Sequence, residues 1–308
     1  MAAPNILIVG ATGKQGRSVI EALLGDETPN SPLKLLCLTR DPSSPSAQAL
    51  LKAHPDDIEL VKGDLTEPEA IFSQWPKGHA SGVFLYTIPG KVDEEKQGIP
   101  FIDSAVAHGV KHIVFSSVDR GGDEKSWTNP TDVKHFYQKH NIEMHLRDKG
   151  LATDSFTWTI LRPVAFMDNC NPGFFASAFT AMWNSALSPT TKLQLVSVRD
   201  IGVFASKALN EPERWAGKAI TLAGDEMTLA EAKEHFRKVV GKEMPQTWGI
   251  LAKGILWGVS EVGAMFRFFE EEGYGADIPA LAAEEPSLQD FETWLKESSG
   301  WKGEIEEK

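Results

Sequence analysis

The sequence predicts an α/β fold, a doubly wound parallel sheet with a small mixed α/β C-terminal lobe. Short apolar runs alternate with longer amphipathic stretches from the start of the chain, and a glycine pattern directly follows the first run. Of the 308 residues, 42% are apolar and 24% are charged. The alternation is typical of βαβ units, and the composition is that of a chain that buries a core.

The predicted strands are short, rich in β-branched residues and almost continuously apolar. Such runs are expected for strands that are buried on both faces of a sheet. We predict the main strands at 5–9, 33–39, 58–62, 82–87, 112–116 and 156–161, and later strands at 193–196 and 219–222.

Helices are predicted between these strands from the spacing of apolar residues. After the glycine pattern, apolar residues recur at helical intervals and stop at Gly25, a residue that often caps a helix. Similar spacing predicts helices at 99–108 and 134–149.

The regular alternation ends after Arg162-Pro163, where prolines and aromatic residues become frequent. We therefore expect two domains. Residues 1–162 form the sheet domain, and residues 163–308 form a C-terminal lobe that is interleaved with late strands. We expect the segments of this lobe to pack against the carboxyl ends of the strands, where open α/β sheets bind ligands. The lobe is therefore expected to carry the surface for a substrate or a partner.

The charge of the chain argues against direct nucleic-acid binding. Asp and Glu number 43 against 31 Lys and Arg, a net charge of −12, and the basic residues form no cluster that could follow a phosphate backbone. A regulatory protein that itself binds DNA stays open as a partner.

The same sequence indicates where the protein resides. Cys37 and Cys170 show neither a disulfide framework nor metal-type spacing, which favours a reducing compartment. The N-terminus has no basic region before its apolar stretch, so we expect no signal peptide. Charged residues interrupt the apolar region 249–269, so we expect no membrane span. The expected location is cytoplasmic, with the nucleus as the alternative.

A phosphate-binding glycine pattern follows the first predicted strand and opens the first predicted helix. It reads Gly10-Ala-Thr-Gly13-Lys-Gln-Gly16. The first glycine allows a tight turn, the second allows a pyrophosphate to approach the backbone, and the third allows close packing of helix on strand. In this context the pattern predicts a dinucleotide-binding site. The alternative interpretation is a glycine-rich turn that binds no ligand.

The end of the second strand selects between dinucleotides. An acidic residue there holds the ribose 2′-hydroxyl of NAD, whereas an arginine accommodates the 2′-phosphate of NADP. Here Arg40 follows the strand, about 24 residues after Gly16. The sequence therefore favours NADP(H) over NAD(H), with a solvated turn of Arg40 and Asp41 as the alternative interpretation.

Several stretches together identify a family resemblance. The chain resembles the NmrA-like branch of the atypical short-chain dehydrogenases/reductases from about Ile6 to about Val240, through the stretches GATGKQGRSVI, LTRDP, VKGDL, GVKHIVFSSV, LRPVAFMDN and VSVRDIGVFASKAL. The resemblance implies a Rossmann-type NAD(P)-binding domain with a small C-terminal lobe. Members of this branch either reduce small molecules with NADPH or sense the dinucleotide while they bind regulatory proteins.

The resemblance also implies positions along the dinucleotide. The implied pyrophosphate residues are Gly10, Thr12, Gly13, Lys14, Gln15 and Gly16, with Arg40 at the 2′-phosphate. The implied contacts further along are Asp64 and Leu65 at the adenine, Thr87 and Ile88 at a ribose, Lys139 at the nicotinamide ribose, and Val164 and Phe166 beside the nicotinamide.

The usual catalytic pair of this superfamily is missing. A tyrosine four residues before a lysine normally protonates the product, but none of the three tyrosines has a lysine four residues later, and His135 precedes Lys139 at that spacing. On a helix the two side chains share a face, so Lys139 or His135 could donate the proton. Ser117 is the nearest substitute for the usual serine, although a hydroxyl bonded to the backbone is the simpler interpretation.

Two functions therefore stay open. The first is an NADPH-dependent reductase of a small, mainly apolar carbonyl, enone or imine, which uses Lys139 in place of the tyrosine and lysine pair. The second is a non-catalytic redox sensor that regulates a protein partner.

Two further patterns bear on function. His135, His140 and His145 are five residues apart, which points them in different directions on a helix, so we expect no metal site. The aromatic-rich segment 248–269 fits core packing, a lid over a substrate, or a groove for a partner helix.

Overall fold

The structure, a computed structural model, describes residues 5–25, 33–90 and 92–306. Within these residues seven strands form a central sheet in the order β3-β2-β1-β4-β5-β6-β9. The strand pairs from β3 to β6 are parallel. The strands are β1 Asn5–Ile8, β2 Lys34–Thr39, β3 Ile58–Lys62, β4 Ala80–Tyr86, β5 His112–Ser116, β6 Thr157–Pro163 and β9 Lys218–Leu222. Residues 1–4, on which the expectation about a signal peptide partly depends, lie outside the described residues.

Helices connect these strands in the alternation that the sequence predicts. In the first half of the chain they are α1 Lys14–Gly25, α2 Pro45–Ala53, α3 Pro68–Phe72, α4 Glu94–Ala107 and α5 Lys134–Leu151. In the second half they are α6 Phe174–Ala186, α7 Val198–Asn210, α8 Pro212–Trp215, α9 Leu229–Val240, α10 Gly249–Gly258, α11 Ser260–Glu271, α12 Ile278–Glu284, α13 Phe291–Glu297 and α14 Lys302–Glu306.

The predicted doubly wound, Rossmann-like sheet is confirmed, and its strand order shows where a ligand would bind. The order reverses between β1 and β4, and open α/β sheets bind ligands outside the carboxyl ends of the strands at such a switch point. Gly10 lies just after β1 and Thr87 just after β4. Side chains of the inner strands, such as Leu7 and Val83, are fully buried, which explains their continuous apolar runs.

Two elements differ from the predictions. Helix α4 begins at Glu94, five residues before the predicted start, because Gly98 and Pro100 disguise its first turns in the sequence. Strand β8, Leu193–Val196, does not join the central sheet. It lies between β10 Asp225–Met227 and β7 Ala165–Phe166 in a second sheet, which has three strands among the described residues.

The chain divides into two compact units. Unit 1 takes the described parts of Met1–Ser117, Gln138–Arg162 and Ile201–Ile220, and unit 2 takes those of Val118–Tyr137, Pro163–Asp200 and Thr221–Lys308. The simpler division at residue 162 remains a prediction. Unit 2 has its own apolar core, whose largest side chains include Phe136, Phe179, Trp183, Phe266, Phe291 and Trp294.

The aromatic-rich segment 248–269 splits into two environments within unit 2. Phe266, Phe268 and Phe269 on α11 are buried in the core, whereas Trp248 and Trp257, at the two ends of α10, are 85% and 91% exposed. No single helix among the described residues has the length and apolar composition to cross a membrane. Helices α10 and α11 together meet that test only as a pair bent by 105°.

Candidate functional site

The glycine turn after β1 has the geometry of a phosphate cradle. Gly10 adopts φ +61°, a left-handed conformation that favours glycine, and the Gly13 amide donates a hydrogen bond to its carbonyl at 2.8 Å. A Cβ at Gly16 would collide with the Gly10 carbonyl and come within 2.8 Å of the Ala11 Cα. The turn therefore needs its glycines, and it delivers the chain to the N-terminus of α1, where helix amides attract phosphate.

An open cavity of about 700 Å³ adjoins this turn in unit 1. It runs along the carboxyl ends of β2, β3 and β4, which is where the predicted adenosine and ribose contacts fall. Of the predicted cofactor residues, Gly10, Thr12, Gly13, Arg40, Asp64, Leu65 and Ile88 line this cavity. Ser44, Ser46, Tyr86 and Gln97 also line it and were not assigned from the sequence.

The end of the cavity near β2 and β3, which we call the adenosine end, carries the exposed Arg40 and two carboxylates that local hydrogen bonds hold in place. Asp41 accepts hydrogen bonds from the amide and hydroxyl of Ser43, at 2.9 and 2.6 Å, and these bonds lower the pKa of Asp41. Asp64 accepts from the amide and hydroxyl of Thr66, at 2.9 and 2.7 Å. These bonds, with a smaller contribution from the charge of Arg40, lower the pKa of Asp64.

Tyr86, at the end of β4, lies against the glycine turn. A Cβ on Gly10 or Gly13 would come within 2.6 to 2.7 Å of atoms of its phenol ring or hydroxyl. Its hydroxyl lies 3.5 Å from the Gly10 carbonyl oxygen, and burial raises the pKa of the phenol. The sequence analysis considered Tyr86 only for its spacing to a following lysine, so its position at the glycine turn was missed.

A buried network surrounds the predicted lysine, and we call it the lysine end of the site. The Lys139 ammonium forms an ion pair with Glu94 at 2.8 Å and donates to the Thr87 hydroxyl at 3.1 Å. Thr87 in turn donates to the same oxygen of Glu94. Lys139 is 8% exposed and Glu94 is fully buried. The structure thus brings together Thr87 and Lys139, two of the predicted cofactor residues. Glu94 was missed because the helix start was misplaced.

Glutamines hold the first turn of α4 in this position. The Glu94 amide donates to Gln138 Oε1 at 3.2 Å, and Gln138 Nε2 donates to Asp93 at 2.9 Å. Gln97 Nε2 donates to the carbonyl of Ile88 at 2.9 Å, and the Ile88 amide donates back at 3.2 Å. The loop after β4 is therefore tied at both ends.

The remaining predicted residues of unit 1 lie near the ends of α1 and β5. Lys14 is exposed at the first position of α1, and Gln15 accepts a hydrogen bond from the Ser116 hydroxyl at 2.7 Å. Ser117 is buried, and its hydroxyl has no hydrogen-bond partner among the residues that the structure describes.

Three predicted residues belong to unit 2. His135, in the first turn of α5, forms an ion pair through Nδ1 with Glu261 at 2.6 Å. Val164 is buried, and its amide donates to the Leu222 carbonyl at 3.2 Å. Phe166 is half-buried in β7 and pairs with Val196 of β8.

The residues of unit 1 fit a dinucleotide. The glycine cradle and the N-terminus of α1 suit a pyrophosphate, and Arg40 suits an added phosphate. Ser117 Oγ and Glu94 Oε1 are buried polar atoms without a partner in the described part of the chain, as in sites that are completed by a ligand. Within the same residues no group of three His, Cys, Asp or Glu side chains could hold a metal ion.

Comparison with known sequences finds relatives that span most of the chain. An NmrA-like family domain-containing protein of Dictyostelium discoideum is 25% identical over 307 residues, which cover 95% of this chain and 97% of the relative. An NmrA-like family domain-containing oxidoreductase of Malbranchea aurantiaca is 28% identical over 262 residues, covering 77% of this chain and 73% of the relative.

Comparison with solved structures finds the same fold. Triphenylmethane reductase of Citrobacter sp., complexed with NADP(H), aligns with a TM-score of 0.68 at 19% identity, covering 94% of this chain and 98% of the other. NmrA, a negative transcriptional regulator in complex with NAD, aligns with a TM-score of 0.69 at 16% identity, covering 100% and 98%.

The family assignment follows from the extent of the match. The sequence profile of the NmrA-like family matches residues 3–295, nearly the whole chain. The resemblance noted from the glycine pattern and the later stretches is thereby confirmed. The chain belongs to the NmrA-like family.

Proposed function

We propose that this protein binds NADP(H) and reduces a small, mainly apolar carbonyl, enone or imine. The observation that carries the proposal is that two groups of predicted cofactor residues meet at the carboxyl ends of the neighbouring strands β1 and β4. The glycine cradle follows β1, and buried Lys139 is bonded to Thr87 at the end of the neighbouring strand β4. Oxidoreductases among the relatives and the NADP(H) complex of triphenylmethane reductase support the reaction class.

Each residue has a stated part in this reaction. NADPH, when bound, supplies a hydride to the substrate carbon. Gly10, Gly13 and the first amides of α1 hold the pyrophosphate, and Arg40 holds the 2′-phosphate. Lys139 binds the nicotinamide ribose and provides the proton that the product takes up, on oxygen for a carbonyl, on nitrogen for an imine and on the α-carbon for an enone. The parts assigned to His135, Ser117, Val164 and Phe166 stay predictions.

The proposal is tested first at the cofactor. Calorimetric titration with NADPH, NADP⁺, NADH and NAD⁺ should show preferred binding of the phosphorylated pair, and Arg40→Ala should remove that preference. NADPH oxidation is then screened with quinones, enones, imines and apolar aldehydes. Lys139→Ala should abolish turnover, and an unchanged rate in this variant would refute its assigned role. Absence of binding to all four dinucleotides overturns the whole proposal.

A second candidate function is a redox sensor that controls a protein partner. The missing tyrosine before Lys139 favours it, as does the likeness to NmrA, a negative transcriptional regulator. A ligand shifts a protein between states only through unequal affinity for them. Equal partner binding by the NADP⁺, NADPH and apo forms would therefore exclude the sensor.

We further propose two domains divided near residue 162 and a reducing compartment, the cytoplasm or the nucleus. Both described cysteines, Cys37 and Cys170, are free thiols, and burial raises the pKa of each to about 12, which keeps them unreactive. Cell fractionation of the tagged full chain tests the location.

A further inference from the structure

We infer that Glu94 is a positioning residue, which holds Lys139 for the nicotinamide half of the dinucleotide. The inference rests on the proposed function and deepens it. It names a carboxylate that neither the glycine pattern nor the family resemblance assigned.

A single oxygen of Glu94 connects three elements of unit 1. Glu94 is the first residue of α4, and its Oε2 accepts from the Lys139 ammonium on α5 at 2.8 Å and from the Thr87 hydroxyl at the end of β4. A lysine side chain has four flexible carbon links, so its ammonium takes a defined position only when such partners hold it. With Glu94 and Thr87 in place, the ammonium points to the end of β4.

This arrangement leaves one ammonium proton for a ligand. Lys139 has three N–H donors. Two have close acceptors in Glu94 and Thr87 Oγ1, whereas the Thr87 carbonyl lies 3.5 Å away, at the limit of a hydrogen bond. This third N–H is the one that can donate a hydrogen bond to a ligand oxygen.

A second buried ion pair in the same unit offers a comparison. Arg162 and Glu143 are both fully buried, and both carboxylate oxygens of Glu143 accept from the guanidinium, at 2.8 to 3.3 Å. Glu94, in contrast, has one oxygen that is buried and has no hydrogen-bond partner among the described residues. An under-satisfied buried carboxylate is costly for stability, so its presence indicates a role beyond packing.

The test separates the two halves of the cofactor. Calorimetry measures the Kd of NADPH and of 2′,5′-ADP, which lacks the nicotinamide ribonucleotide, for the wild type, Glu94→Gln, Glu94→Asp and the matched control Glu143→Gln. Glu94→Gln should weaken NADPH about tenfold, the loss expected for a charged hydrogen bond, while 2′,5′-ADP changes less than about twofold. Glu94→Asp should recover part of the loss. Glu143→Gln should lower the melting temperature without changing the ratio of the two Kd values.

Each other outcome has a distinct meaning. If the wild type binds neither ligand, the proposed function fails. If the wild type binds both, and Glu94→Gln changes both Kd values equally or changes neither, the positioning role is overturned. Should Glu94→Gln not fold, Thr87→Val removes the bridging hydroxyl with little change in shape. It should weaken NADPH selectively, and an unchanged ratio in Thr87→Val overturns the role as well.

Discussion

The adenosine end and the lysine end of the candidate site both combine a cation with carboxylates, but they are built in opposite ways. At the adenosine end Arg40 is exposed, and Asp41 and Asp64 are held by residues two positions further along the chain. At the lysine end Glu94 is fully buried, and Lys139 bonds to Thr87 across 52 residues. The contacts at the adenosine end are local in sequence and involve exposed groups, whereas those at the lysine end are long-range and buried.

The difference predicts how each end responds to change. Charges in water interact weakly and are screened by salt, so the adenosine end should govern cofactor preference with little effect on stability. In a buried ion pair, the loss of one partner leaves the other charge buried without compensation, which lowers the free energy of unfolding. The lysine end should therefore couple cofactor binding to folding.

The largest effect is expected from Gly16→Ala, which damages the cradle that both ends share. The new Cβ would collide with the Gly10 carbonyl, and backbone cannot move aside as a side chain can. We expect loss of binding for all four dinucleotides and a loss of unfolding free energy of about 1–3 kcal/mol. The control Gly25→Ala, in the same helix with open space around its Cβ, should bind as the wild type does. Retained NADPH binding in Gly16→Ala would contradict the cradle.

The next effect is expected from Lys139→Met, which breaks the buried pair. Glu94 is left charged and unpaired, so the free energy of unfolding should fall by about 3 kcal/mol, and NADPH should bind far more weakly. The double variant Lys139→Met/Glu94→Gln removes the orphaned charge. Denaturant unfolding should show recovery of most of the stability, while calorimetry shows no recovery of NADPH binding. A single variant as stable as the wild type would remove the contrast between the two ends.

A smaller and more selective effect is expected from Arg40→Ala. Loss of the guanidinium should weaken NADPH by about tenfold or more while NADH is unaffected, since only NADPH carries the 2′-phosphate. Stability should stay within about 0.5 kcal/mol, and the preference of the wild type for NADPH should shrink as salt is raised. Lys52→Ala, an exposed cation on α2, serves as the control. Equal weakening of NADH and NADPH would show that Arg40 contacts something other than the 2′-phosphate.

The smallest effect is expected from Asp64→Asn, seen in the pH dependence of unfolding. The hydrogen bonds from Thr66 hold the folded-state pKa of Asp64 below its unfolded value. The resulting stability is present above the unfolded pKa and is lost as pH falls through the folded pKa. Asp64→Asn should therefore cost no more than about 0.5 kcal/mol at neutral pH and nothing in strong acid. Thr66→Val should lose part of the same unfolding free energy at neutral pH, as measured by denaturant unfolding. A loss relative to the wild type that grows as the pH falls would contradict the lowered pKa of Asp64.

The two ends also differ in how far the sequence predicted them. Gly10, Gly13 and Arg40 were assigned from their local pattern and Asp64 from the family resemblance, and all four line the cavity. Each is placed by a strand end or a tight turn, which local sequence specifies. Glu94 was missed because Pro100 interrupts the apolar spacing of α4, so the first turn of that helix went unrecognised.

Tyr86 shows a second kind of omission. The spacing rule asks only whether a lysine follows four positions later, and it discarded Tyr86 on that ground. The strand pairing of β1 with β4 brings its ring against Gly10 and Gly13. The side chain directions of a strand become informative only when its neighbour in the sheet is known.

The sequence by itself determined the doubly wound sheet, the glycine cradle and the arginine that follows β2, because these depend on periodicity and on glycine positions within a few residues. Only the tertiary structure decided that Lys139, Glu94 and Thr87 meet in one buried network. Their contact depends on how the fold brings together the end of β4 and the helices α4 and α5, and a charge pair between distant residues leaves no periodic trace in the chain. Burial then strengthens the hydrogen bonds of that pair, because the local dielectric constant is lower than in water.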